Sequence, residues 1–188
     1  MRAFFAVDLP AYIAAELADV QALFEGVEGL RFVDPAQAHV TLKFLGDVDE
    51  PGSPSLDEVI AAGERAVAAA ETGPFECSVG GLGVFPSLDY VSVVWAGVDD
   101  GAPELTALHE ALEGETTALG VDPDEHAFTP HVTLARMRDA RGKELVREVV
   151  RERHPEIGRF TVDAVRLVSS TLTSEGPEYE TVASFSLG

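Results

Sequence analysis

The hydrophobic positions of this chain change period repeatedly, from alternate residues to every third or fourth and back. An unbroken apolar run, Ala3 to Val7, ended by Asp8, predicts a first strand over residues 2–8. Pro10 suits the first turn of a helix, and Ile13, Leu17, Val20 and Phe24 then recur at helical spacing. Glycines in 26–29 close that helix, 31–33 is a short extended piece, and Asp34-Pro35 is a turn. A second long strand is predicted over 39–46. Ser55-Leu56-Asp57-Glu58 has the form of a capping box, opening a helix with Leu56, Val59, Ile60, Gly63 and Val67 on one face. Residues 75–85 and 90–98 read as strands around a turn at Pro86-Ser87-Leu88-Asp89.

The order then recurs. Leu105, Leu108, Leu112 and Leu119 mark a helix, a Pro/Asp-rich loop leads to a strand at 131–134, and Leu145, Val146, Val149 and Val150 mark another helix. Two closing strands are expected around 160–169 and 178–187. Several strand pairs are joined by turns too short for parallel crossovers. The predicted class is therefore α+β: two related lobes of mainly antiparallel sheet with flanking helices, in one domain of 188 residues. Its pseudo-repeat halves would span about 1–98 and 104–188, with residues 99–103 between them.

Composition narrows the setting. Apolar residues are 46% of the chain, enough for a packed core, and no apolar run approaches the ~20 residues of a membrane helix. Asp8 cuts the N-terminal apolar run short of a secretory signal core. Cys77 is the only cysteine, so no intrachain disulfide forms, and a cytoplasmic location is expected. Thirty-three acidic residues face thirteen basic ones, for a net charge of −20, and only Lys43 and Lys143 are lysines. A general nucleic-acid binder would carry a basic stripe instead. Acidic excess with scarce lysine predicts adaptation to high salt, because at about 1 M salt the Debye length falls to ~3 Å and surface carboxylates barely repel.

The chemistry lies in a repeated tetrapeptide, His39-Val40-Thr41-Leu42 and His131-Val132-Thr133-Leu134. On a strand, residues i and i+2 share a face, so His39 and Thr41 point one way and His131 and Thr133 repeat the pattern. Five His and eleven Thr give about 0.3 chance copies of H-x-T, so the matched pair is informative where one copy would not be. No His or carboxylate sits two positions from either histidine, and Thr is a poor ligand for zinc or iron, so no metal or other cofactor is expected. No nucleophile triad is evident. Two imidazoles flanking one phosphorus would instead act as complementary acid and base, with threonine hydroxyls on the non-bridging oxygens.

These motifs resemble the paired H-x-T/S-x signatures of the two-histidine phosphoesterases. The chain is most similar to the RNA 2′,3′-cyclic phosphodiesterases, also called 2′-5′ RNA ligases. Further residues carry the likeness: Met1 to Pro10, the trailing Phe44-Leu45-Gly46, Gly83-Val84-Phe85-Pro86, Val94 to Val98, Phe128 to Arg136, and Gly176-Pro177-Glu178-Tyr179. The resemblance implies a central cleft with one motif strand from each lobe. It implies His131 as general base on water, His39 as general acid on the ribose 3′-oxygen, and Thr41 and Thr133 as phosphate ligands. A 2′-phosphate would result, with 2′-5′ ligation available to the same geometry. The partners implied are RNA 3′ ends or small cyclic-phosphate nucleotides, with no membrane, and a monomer is expected. A different cyclic nucleotide substrate, or a non-catalytic RNA-binding module, remain open as alternatives.

Other residues are less constrained. Lys43 shares parity with His39 and Thr41, so a regular strand puts it at the cleft mouth. Arg136 matches a phosphate-contacting position of the family, but its parity is opposite to His131, so a bulge or the strand end must intervene. With Arg138, these two would form a local basic spot in an acidic body. Phe44 and Phe85 suit core packing better than base stacking, and His109 is expected at the surface on a helix flank.

Overall fold

The computed structural model describes residues 1–188. Strand β1 (Arg2–Asp8) buries all five residues from Ala3 to Val7, because it lies inside the sheet between two other strands with both faces covered. Helix α1 (Ala11–Gln21) starts after Pro10 and buries Ile13, Leu17 and Val20, and a 3-10 turn (Ala22–Phe24) extends it to bury Phe24. Short strand β2 (Leu30–Phe32) leads through a 3-10 turn (Pro35–Gln37) into β3 (His39–Asp47). Helix α2 (Leu56–Ala70) opens with the expected capping box, Ser55 and Glu58 each bonding the other's backbone N–H.

Strands β4 (Phe75–Pro86) and β5 (Val91–Val98) form a hairpin. Helix α3 (Ala102–Thr117) precedes β6 (His131–Met137), and α4 (Lys143–Glu152) precedes β7 (Glu156–Val162), β8 (Ala164–Thr173) and β9 (Gly176–Ser186). The predicted strand at 160–169 is in fact two, broken at Asp163: β7 pairs with β4, whereas β8 pairs with β1 and β9. No glycine or proline marks the break, and a single residue carries the chain from one part of the sheet to another.

All pairings are antiparallel, in the order β7-β4-β5-β6-β3-β1-β8-β9, with β2 added on β6. At the centre, β3 and β6 meet through one pair, Val40 and Val132. The strands on each side of that bridge come from both halves of the sequence: β1 and β3 with β8 and β9, and β2, β4 and β5 with β6 and β7. The division into 1–98 and 104–188 is thus one of sequence and not of the sheet. Helices α1, α2 and α3 cover one side, where Val40, Leu42, Val132 and Leu134 join Ile13, Leu105 and Leu108 in one core of 27 buried residues. The other side holds the cleft. No helix is long and apolar enough to cross a membrane.

Candidate active site

Each motif strand carries a bulge, and at the same residue of the tetrapeptide. Between β1 and β3, Phe5 pairs with Lys43 and Ala6 with Thr41, leaving Leu42 without a ladder partner. Between β5 and β6, Val94 pairs with Ala135 and Trp95 with Thr133, leaving Leu134 without one. An extra residue inverts the alternation beyond it. Leu42 and Lys43 are therefore both buried on the helix side, as are Leu134 and Ala135. Phe44 and Arg136 turn into the cleft with the His and Thr residues.

This corrects the expectation for Lys43. Its side chain is only 1% exposed and faces α3, away from the cleft mouth. The ammonium donates to the Asp122 carbonyl at 2.9 Å and to Asp124 Oδ1 at 2.9 Å, and pairs with Glu113 Oε2 at 2.8 Å. Burial alone would push the Lys43 pKa down, but the Asp124 and Glu113 carboxylates outweigh it and hold it above its ordinary value. The trio His109, Glu113 and Asp124 is compact enough to ligate a metal ion, but Lys43 Nζ supplies the cation between the two carboxylates. Arg136 reaches the cleft by the bulge its parity required. Phe44 is 63% exposed on the cleft wall and so is not a core residue.

A bulge leaves a backbone carbonyl to be satisfied elsewhere. At Leu42 the partner is His109 on α3, whose Nδ1 lies 2.7 Å from the carbonyl oxygen. His109 is thus buried, at 7% exposure, and stacked on Phe128 at 4.3 Å, which corrects its expected surface position. At Leu134 the carbonyl accepts from Gln21 Nε2 on α1 at 3.0 Å and from the Val33 N–H at 2.9 Å. The clamps are crossed: α3, which leads to β6, holds β3, while α1, which leads to β3, holds β6.

With Val40 paired to Val132, His39 falls opposite Thr133 and His131 opposite Thr41 on the face away from the helices. The two histidines are diagonal neighbours, a relationship with a typical separation of about 7–8 Å. His39 Nδ1 is 3.0 Å from the Gln37 carbonyl oxygen, and His131 Nδ1 is 2.7 Å from that of Thr129. A carbonyl only accepts, so each Nδ1 carries a proton and each Nε2 is left for a ligand. Aromatic rings fix both imidazoles. His39 stacks on Phe4 at 4.9 Å with Tyr179 edge-on at 5.4 Å, and His131 sits edge-on to Phe85 at 4.9 Å with Trp95 at 5.9 Å.

Burial is the main reason that both histidines lie below the ordinary imidazole pKa, with the His131 charge adding to it at His39 and the Arg136 charge at each. The carbonyl bonds oppose this, and at His39 so does Asp8, its cross-strand partner in β1. His131 has no such carboxylate among the groups acting on it.

The cleft encloses about 810 Å³ and is lined by His39, Thr41, His131, Thr133 and Arg136 together with residues of β1, β2 and the β8–β9 hairpin. Its lining carries three arginines, Arg2, Arg31 and Arg136, against three carboxylates, Asp34, Glu175 and Glu178. The chain as a whole has 13 basic and 33 acidic residues, so the cleft is a local relief in an acidic body. Phe4 and Tyr179 carry part of the family likeness, but sequence reasoning gave no site role to them, to Gln21 or to Arg31, because those roles depend on which strands become neighbours.

A family profile described as the 2′-5′ RNA ligase superfamily matches residues 4–173. An RNA 2′,3′-cyclic phosphodiesterase of Aeropyrum pernix is 37% identical over 154 residues, covering 81% of this chain and 84% of its own length. One from Methanothermobacter thermautotrophicus is 34% identical over 190 residues, covering 100% and 99%. A crystal structure from Thermus thermophilus superposes with a TM-score of 0.78 at 29% identity, over 100% of this chain and 98% of that one. Escherichia coli LigT complexed with 3′-AMP shares the fold, with a TM-score of 0.76 at 24% identity over 98% and 97% of the two chains. A match that runs from Phe4 in β1 to Thr173 at the end of β8 takes in both motif strands and most of the cleft wall, and on it the chain belongs to the 2′-5′ RNA ligase superfamily.

Proposed function

We propose that the chain opens the terminal 2′,3′-cyclic phosphate of RNA to a 2′-phosphate without a metal ion. The observation that carries this reading is the pair of imidazoles with Nδ1 held by backbone carbonyls and Nε2 left to one cleft. His131 Nε2 takes a proton from water as the water oxygen attacks phosphorus. The bond from phosphorus to the ribose 3′-oxygen breaks, and His39 Nε2–H gives its proton to that oxygen. The Thr41 and Thr133 hydroxyls and the Arg136 guanidinium hold the non-bridging oxygens, where negative charge develops.

The division of labour has an electrostatic basis. Asp8 favours protonated His39, the state an acid needs, against the opposing charges of His131 and Arg136, whereas the charge acting on His131 is that of Arg136, which favours the neutral state of a base. A 5′-hydroxyl replacing water would give a 2′-5′ linkage by the same proton transfers. RNA 3′ ends and small cyclic-phosphate nucleotides are the partners that suit this cleft. Relatives from Aeropyrum and Methanothermobacter carry the name of this activity and support the reading.

The test is hydrolysis of a 2′,3′-cyclic mononucleotide in EDTA across a range of KCl, with the product identified by phosphorus NMR. The expected product is the 2′-phosphate, and His39→Ala and His131→Ala are each expected to lose about 10²–10⁴-fold in rate. No turnover at any salt concentration overturns the reading. Full activity in His131→Ala overturns the assignment of the base.

A further inference from the structure

We propose that Arg31 forms a second phosphate subsite, which takes the backbone phosphodiester on the 5′ side of the terminal nucleotide. The proposal rests on the cyclic phosphodiesterase reading and extends it from a phosphate to a polynucleotide end. Arg31 lies in β2 directly opposite Arg136 in β6, and both line the cleft. Like charges placed directly opposite each other on adjacent strands repel. Neither stands in an ion pair, although Asp34, Glu175 and Glu178 line the same cleft. Arg65, Arg141, Arg147, Arg159 and Arg166 stand in ion pairs; Arg31 and Arg136 do not, and neither do Arg2 in the same cleft or Arg138, Arg151 and Arg153 elsewhere. A pair of unneutralised guanidiniums in a cleft fits an anionic ligand.

The two arginines serve different positions. Arg136 stands in β6 beyond the motif bulge, and its charge acts on His39, His131 and Tyr179, so its guanidinium lies beside the two imidazoles. Arg31 acts on none of these groups. Its Nη2 instead spans the cleft to the β8–β9 hairpin, where a Cβ on Gly176 would sit 3.2 Å from it. Arg31 therefore stands beside Arg136 on one wall and reaches the opposite wall, where a second phosphate of the same strand would pass.

The test compares wild type, Arg31→Ala and Arg31→Lys on two substrates at one fixed KCl concentration. One is uridine 2′,3′-cyclic phosphate, which has a single phosphate. The other is a uridine dinucleotide ending in a 2′,3′-cyclic phosphate. Arg31→Ala is expected to raise KM for the dinucleotide about tenfold with kcat unchanged. It is expected to leave the mononucleotide unaffected, and Arg31→Lys to restore part of the loss. A dinucleotide with an uncharged methylphosphonate linkage is expected to remove the difference between wild type and Arg31→Ala. Equal losses on both substrates would assign Arg31 to the reacting phosphate and overturn the second subsite, as would no loss on either. Wild type that turns over neither substrate overturns the activity itself, and the subsite with it.

Discussion

The imidazole Nδ1 of His109 lies 2.7 Å from the carbonyl oxygen of Leu42, the residue that the bulge removes from the β1–β3 ladder. This bond supports the geometry that puts Lys43 behind the sheet and Phe44 in front of it. His109→Ala leaves the carbonyl buried and unpaired, which costs about 1–3 kcal/mol. Thermal unfolding should register that loss, and kcat on a cyclic mononucleotide should fall as β3 relaxes. Gln21→Leu is expected to act likewise on β6 through Leu134, but less, because Val33 still donates to that carbonyl. Unchanged melting and kcat in both variants would mean that the clamps contribute nothing.

Lys43→Met tests the corrected position of this lysine. Glu113 and Asp124 would be left facing each other with no cation between them. The side chains of these two retain some water, so the expected destabilisation is about 1–3 kcal/mol, below that of breaking a fully buried pair. KM for a cyclic mononucleotide should stay within about twofold of wild type below the melting transition. A large rise in KM at unchanged stability would return Lys43 to the cleft.

Activity should be greatest below the ordinary imidazole pKa of about 6.5. The value of kcat/KM rises with pH as His131 becomes neutral and falls as His39 loses its proton, and both pKa values are lowered, mainly by burial. Asp8→Asn removes the charge that lifts His39, so the descending limb should move to lower pH while the ascending limb stays. Stability follows the same shifts with a definite sign. Both histidines fold as neutral groups more readily than as charged ones. Their contribution is present above pH ~6.5 and is lost as pH falls through the lowered values.

The net charge of −20 predicts a melting temperature that rises between 0.1 and 2 M KCl, as screening relieves repulsion among exposed carboxylates. Equal melting temperatures at the two concentrations would remove the case for salt adaptation.

Much of the fold is legible where local rules operate alone. The five-residue apolar run of β1, the capping box at Ser55 and the shared parity of His39 with Thr41 need only periodicity and hydrogen-bond chemistry. Lys43 is different, because alternation places it in the cleft and one bulged residue reverses it. No glycine marks either bulge, and the residues after the two identical tetrapeptides, Lys43-Phe44 and Ala135-Arg136, hide their equivalence. His109 looks like a surface residue because its partner is a carbonyl that becomes free only once β3 has bulged. Arg31 gains its meaning from β6, to which β2 pairs across about a hundred residues of chain.

The crossed clamps make the two motifs interdependent. Cut between residues 99 and 103, the chain would yield two fragments, each with one complete H-x-T strand and each without the side chain that holds it in shape. The first fragment would keep Gln21 but lose His109, and the second the reverse. The first would also lack β8 and β9, two of the four strands on its side of the Val40–Val132 bridge, and the second β2, β4 and β5, three of the five on its own. A competent acid–base pair would therefore return only on reassembly of both pieces, so fragment complementation would be all-or-none.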